Sequence, residues 1–233
     1  MKASLKLCVK SFFIIILLAS LLFKNSKDTN DLLSVESCSK EQANRVIDQM
    51  KITFLKEEPL HSGVNCFFVD ETGSIAVGTS NGRQKFISVF DSTMTFRFAF
   101  SFYESGSFGV ILTEESVWIL LWREELCVSV TPDGTSIIVQ KMQRSWDNTK
   151  KQSQVVNSTV FSANGETFEL RNQLKILNIT GKYSQIVVTH ENGQKEVLYD
   201  VEREMISKLA ILFVLFNLFV LITVGVYVSK KLE

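Results

Sequence analysis

The residues best equipped for chemistry are few and scattered. His61 and His190 stand far apart, with no HExxH pair and no His–Cys spacing of the kind that holds zinc. No G-x-S-x-G elbow and no phosphate-cradling P-loop occurs, so the sequence calls for no catalytic residue, metal or cofactor. The small-residue cluster Ser105-Gly-Ser-Phe-Gly109 reads as a turn entering a strand rather than a ligand loop. Two carboxylate pairs, Glu114-Glu115 and Glu124-Glu125, fall in turn-like stretches and read as solvated charge. Acid–base work would need such pairs to converge, which spacing alone does not establish.

Cysteine and tryptophan carry the remaining candidates. Cys8 adjoins an apolar run, which leaves Cys38, Cys66 and Cys127, an odd number that cannot complete a disulfide framework. They leave room for one bridge, Cys66–Cys127 or Cys38–Cys66, against the reading of Cys66 and Cys127 as small buried hydrophobes. Trp118 and Trp122, four apart on an extended segment, share a face, as do Phe96, Phe98, Phe100 and Phe102. Packing between sheets accounts for such rows, and a binding face is the alternative. Trp146 stands alone in a polar stretch, which marks it as a recognition candidate.

The elements that would position these residues lie between two apolar ends. Leu209 to Val228 is 20 residues without a charge, flanked by Lys208, Lys230 and Lys231, and is long enough to cross a bilayer. Near the N-terminus, Lys2, Lys6 and Lys10 precede the apolar run Ser11 to Phe23, with a poor cleavage signal around Ser20. That run is either an uncleaved signal-anchor or a cleaved signal peptide. Both place the start and end of the chain in the cytoplasm and residues from Lys24 to about Arg203 outside. Six of the 25 basic residues but only one of the 25 acidic ones, Glu233, lie in the two ends, leaving the outer part at about −5. That balance argues against nucleic acid as a partner. The expected organisation is an anchor at 1–23, a tether and short helix at 24–62, a β domain at 63–203, a transmembrane helix at 206–229 and a cytoplasmic tail at 230–233.

Within 24–62, Ser39-Lys-Glu-Gln42 has capping-box spacing before Ala43, Val46, Ile47 and Met50, which predicts a helix of about three turns. From Val64 on, short apolar runs recur every 8 to 12 residues between Gly, Asp and Asn turns, the pattern of an all-β fold. The strands repeat in groups of four. Ile87-Ser-Val89, Val128-Ser-Val130 and Ile186-Val-Val188 align as third strands, and the polar excess at 143–154 reads as a loop. Alternation puts Val89, Val130 and Val188 inward. Ser88 and Ser129 fall on the opposite face, where aspartate is tolerated if that face meets solvent.

Phe68-Val-Asp-Glu-Thr-Gly-Ser-Ile-Ala-Val-Gly-Thr-Ser-Asn-Gly82, followed by Ile87-Ser-Val-Phe-Asp91, resembles a blade of the NHL- or WD-type β-propellers. The overall layout, a basic start, a short anchor, about three β units and a terminal span, is similar to small membrane proteins of Gram-positive bacteria. The resemblance implies about three four-stranded propeller-like blades in an open propeller or a sandwich, flanked by a membrane helix at each end. The sequence departs from WD repeats in lacking a Trp-Asp strand end and a Gly-His pair.

Two functional readings follow. The first is a non-catalytic binding or scaffold module at the outer face of the plasma membrane, with the lipid bilayer and another membrane or envelope protein as partners. The second is an enzyme, or its accessory subunit, acting on cell-envelope polymers. The sequons Asn157-Ser-Thr159 and Asn178-Ile-Thr180 and the Lys230-Lys-Leu-Glu233 ending offer a second compartment, the endoplasmic reticulum.

Overall fold

A computed structural model describes residues 33–60, 62–172 and 182–232. The N-terminal apolar segment with Cys8, most of the tether, His61, the sequon at Asn178 and Glu233 lie outside the described residues. In chain order the elements are β1 (Val35–Ser37), α1 (Lys40–Met50), β2 (Thr53–Leu55), β3 (Val64–Val69), β4 (Ile75–Asn81), β5 (Gln84–Phe90), β6 (Phe96–Tyr103), β7 (Phe108–Leu112), β8 (Val117–Leu121), β9 (Leu126–Val130), β10 (Ile137–Met142), α2 (Trp146–Val156), β11 (Val160–Ala163), β12 (Glu166–Arg171), β13 (Gln185–Thr189), β14 (Lys195–Asp200) and α3 (Glu202–Leu232). The fold is mainly β, and every strand pairing within its three sheets is antiparallel.

Each sheet is built on a meander of four consecutive strands: β3 to β6, β7 to β10, and β11 to β14. Short strands from the start of the chain extend two of them, β2 along β6 and β1 along β10. None of the sheets closes on itself. Local chemistry sets the hairpins. Asp70 Oδ1 accepts the Thr72 and Ser74 backbone N–H groups, and Asp91 Oδ1 does the same for Thr93 and Thr95. Between β4 and β5 the link is two residues, and Gly82 takes the positive φ of 62° that such a turn needs.

The first sheet packs against both of the others. Phe67, Val69, Val77 and Phe90 join Phe168, Leu170, Ile186 and Val188 of the third sheet in one core cluster. Toward the second sheet, Phe102 meets Phe108 edge-on at 5.4 Å. Gly78 lets the sheets approach there: a Cβ at that position would lie 2.5 Å from Cys66 Sγ and 2.9 Å from the Phe108 ring. Val89, Val130 and Val188 are all buried, as alternation predicts. Ser88 and Ser129 are buried too, 6% and 9% exposed, so their faces do not meet solvent. The first sheet has protein on both sides, which removes the inside–outside contrast that period two relies on.

Helix α1 follows the capping-box expectation, with the Ser39 side chain accepting the Gln42 N–H. The stretch expected as a loop at 143–154 is instead mostly helix α2, capped by Ser145, whose hydroxyl accepts the Asn148 N–H at 3.1 Å. Its buried positions are Asn148, Gln152 and Val155, spaced i, i+4, i+7, so the inward stripe is largely polar and hydrophobic periodicity misses it. Among the described residues one helix, α3, is long and apolar enough to cross a membrane. It begins inside the domain: Val201 and Met205 are core residues, whereas Ile211 to Ile222 are exposed.

Candidate binding site

The hairpin links of the three meanders divide between two ends. The β3–β4, β5–β6, β7–β8 and β9–β10 turns lie at one end, and they consume much of the acidic chemistry. Asp133 accepts from the Thr131 and Thr135 hydroxyls and the Thr135 N–H. These bonds hold Asp133 below the usual carboxylate range, and the bonds from Thr93 and Thr95 do the same for Asp91. A carboxylate so held is a weak proton donor or acceptor near neutrality. The acidic pairs do not converge, since Glu114-Glu115 sit in the β7–β8 turn and Glu124-Glu125 in the next one, at the opposite end of the sheet. Glu125 is also engaged, accepting from Arg144 Nε at 2.6 Å.

At the end opposite those turns a cavity of about 530 Å³ opens where the first strands of the meanders begin. Asn65 of β3 and Lys85 of β5 line one side. Ser105 to Phe108, leading into β7, and Arg123 after β8 line another, and Val156 to Thr159 and Tyr183 complete it. Tyr183 is tied to β3 by paired backbone bonds with Val64 at 2.8 and 3.0 Å. Helix α2 ends against β7, where a Cβ on Gly109 would lie 2.9 Å from the Val156 side chain. The Ser105–Gly109 cluster is thus the strand-entry turn its sequence suggests, and it also forms a wall of the cavity.

Lys85 is 8% exposed. Its Nζ donates to the Gly82 carbonyl at 3.1 Å and stands 5.9 Å from the centre of the Phe108 ring. Burial pulls its ammonium pKa down, opposed by attraction to Glu104. Glu104 Oε1 itself accepts the Gly106 N–H at 2.6 Å and the Ser105 hydroxyl at 3.4 Å. Asn65 Oδ1 accepts the Ser80 hydroxyl, and Lys182 Nζ donates to the Ser80 carbonyl, so the rim on that side is polar.

The tryptophans are not brought together. Trp118 is half-buried within β8, Trp122 follows that strand with 37% exposure, and Trp146 is 82% exposed at the first position of α2. No ring contact joins them among the described residues. The phenylalanine row does not share one face: an irregularity in the β5–β6 register sets Phe96 against Phe90 beside the core shared with the third sheet, whereas Phe100 meets Phe54 and Phe102 meets Phe108 on the other side. Cys66 and Cys127 are separate free thiols on different sheets, and Cys38 is also free. Burial pushes the first two up to about 12, which leaves them unreactive at neutral pH. His190 lies at the turn end of the third sheet, its Nδ1 2.6 Å from Glu166 and its Nε2 3.3 Å from Glu196. Lys85, Arg123 and Asn65 belong to no sequence motif; of the cavity lining only the serine–glycine cluster and the Asn157 sequon form a pattern in the sequence. Set beside known proteins, the chain matches no family model, no curated protein and no solved structure.

Proposed function

We propose that the chain is a membrane-held β-repeat domain that binds or scaffolds another membrane or envelope protein without catalysis of its own. The observation that carries this is the junction at α3. The helix leaves β14 through Val201 and Met205, which the core grips, and then presents apolar side chains outward from Ile211 to Ile222. Lipid is the solvent that suits such a surface. A domain fixed to its anchor without a linker is suited to presenting a set face to a neighbour in the same membrane. The three meanders read as propeller-like blades in an open arrangement, two of them completed at their outer edge by β1 and β2.

Lys230 and Lys231, by the positive-inside rule, support an orientation with the residues after the helix in the cytoplasm and the domain on the other side. At the plasma membrane that is the outside. In the endoplasmic reticulum it is the lumen, a reading favoured by the exposed sequon at Asn157. The test has two parts. With Cys38 replaced by serine, Lys150→Cys should react with an impermeant maleimide on sealed cells or vesicles of lumen-outward orientation, and Ser229→Cys only after permeabilisation. A photoreactive group at Trp146 or Trp122 should give a discrete membrane-protein adduct. Reversed labelling would overturn the orientation, and no discrete adduct from either position would overturn the binding role.

A further inference from the structure

The cavity holds two cations that the anchoring reading does not use. Lys85 carries its charge in a site 8% exposed and, among the described residues, makes no ion pair; its contacts there are the Gly82 carbonyl and the Phe108 ring. A largely buried ammonium held by one carbonyl and a ring face, with its nearest carboxylate not in hydrogen-bond contact, keeps donor capacity for a ligand that enters the cavity. Glu104, the carboxylate that attracts it, spends one oxygen on the Gly106 N–H and the Ser105 hydroxyl. Arg123 lines the same cavity with its stem along Gly106, where a Cβ would lie 3.4 Å from Arg123 Cδ. Among the described residues its guanidinium makes no ion pair or hydrogen bond. Asn65 accepts through Oδ1, which leaves its amide N–H groups to donate.

We infer that this cavity is a binding site for an oxyanion, the phosphate or carboxylate head of a small ligand, with Lys85 and Arg123 as counter-charges and Asn65 as a neutral donor. The Arg123 fork suits two oxygens of such a group, and Lys85 supplies a point charge from the buried side. The volume, about 530 Å³, exceeds what an inorganic ion needs and accommodates a small organic molecule behind the head group. Phe108 and Val156 give that part an apolar wall. This inference stands apart from the anchoring reading and is tested without any protein partner.

The experiment uses the full chain in non-ionic detergent, titrated with inorganic phosphate or with acetate against chloride at constant ionic strength. Thermal unfolding should shift upward and saturate with at least one of the two anions, and which one responds identifies the head group. Arg123→Gln, an exposed position, should retain the fold and raise the half-saturating concentration roughly tenfold or more, as loss of a charge-assisted hydrogen bond does. Arg144→Gln, a cation paired elsewhere with Glu125, should leave the response unchanged. Lys85→Gln should also weaken binding, and Arg123→Gln decides the matter if that variant does not fold. No saturable response to either anion would overturn the inference. So would an unchanged response in Arg123→Gln, or an equal loss in Arg144→Gln.

Discussion

Replacing Ser88 by aspartate places a charge between two packed layers. Ser88 sits in the middle of β5, directly across from Val77 on β4 and Ala99 on β6, and those neighbours are 1% and 0% exposed. Neither of these cross-strand partners offers a charge to receive the carboxylate. Burial of this kind raises an aspartate pKa by several units. Three units, at 1.36 kcal/mol each, make the penalty about 4 kcal/mol at pH 7. The added volume in a filled layer contributes roughly 1–3 kcal/mol more. A domain of ordinary stability, about 5–15 kcal/mol, is left marginal by such a sum.

The pH dependence separates charge from volume. Here the folded pKa is raised above the unfolded value, the reverse of the usual aspartate case. Between the two values the folded state binds more protons, so the penalty is full above the folded pKa and relieved as pH falls toward about 4. Ser88→Asn, similar in size and uncharged, should show the volume cost with no such slope. Ile138→Asp, on β10 and 52% exposed, should cost about 1 kcal/mol or less. Urea unfolding of the full chain in non-ionic detergent, followed by near-ultraviolet dichroism at pH 7 and pH 4.5, reads all three. If Ser88→Asp is tolerated as well as Ile138→Asp, or its cost is the same at both pH values, the first sheet is not covered on both faces.

Three further outcomes are expected. The Glu166 hydrogen bond, with help from Glu196, raises the His190 pKa, so its contribution is full below about 6.5 and disappears as pH rises through the folded value; His190→Gln should flatten the stability profile above pH 6.5, and a wild-type profile already flat there would contradict this. Asn148→Ala removes bonds to the Ser34 N–H, the Ser34 carbonyl and the Gln143 carbonyl, and should cost about 1–3 kcal/mol with faster hydrogen exchange at Val35 and Ser37. Gly78→Ala should cost about 1–3 kcal/mol through its clash with Cys66 and Phe108, and Gly78→Ala with Cys66→Ala should cost less than the sum of the two singles, since the nearest clashing atom is gone.

Turn chemistry made the strand count readable. Asp70, Asp91 and Asp133 each cap a hairpin through their own side chain, a local effect that needs no tertiary context. The repeat of four followed from where those turns fall, and the meanders keep it. Ser88 shows where local reasoning stops. A serine beside buried valines reads as the wet face of a strand, and only the packing of another sheet against it makes it core. Helix α2 failed for the mirror reason: Asn148 is buried because it clamps Ser34, 114 positions away, and no helical period records that.

The cavity is the extreme of the same rule. Lys85 follows the tight turn at Gly82, and Arg123 sits between a tryptophan and two glutamates, so each reads alone as a solvated charge beside a hairpin. They belong to different meanders, and their common location depends on how β3 and β4 pack on β7. That packing in turn depends on Gly78, whose missing side chain admits the Phe108 ring. Phe108 is also the ring beneath Lys85 Nζ and a wall of the cavity. The glycine therefore governs the site without touching it: a side chain at position 78 would displace Phe108, and with it the surface on which the lysine rests. Loss of oxyanion binding in Gly78→Ala, with Lys85 and Arg123 both intact, would follow from that chain of contacts, and unaltered binding in a folded Gly78→Ala protein would break it.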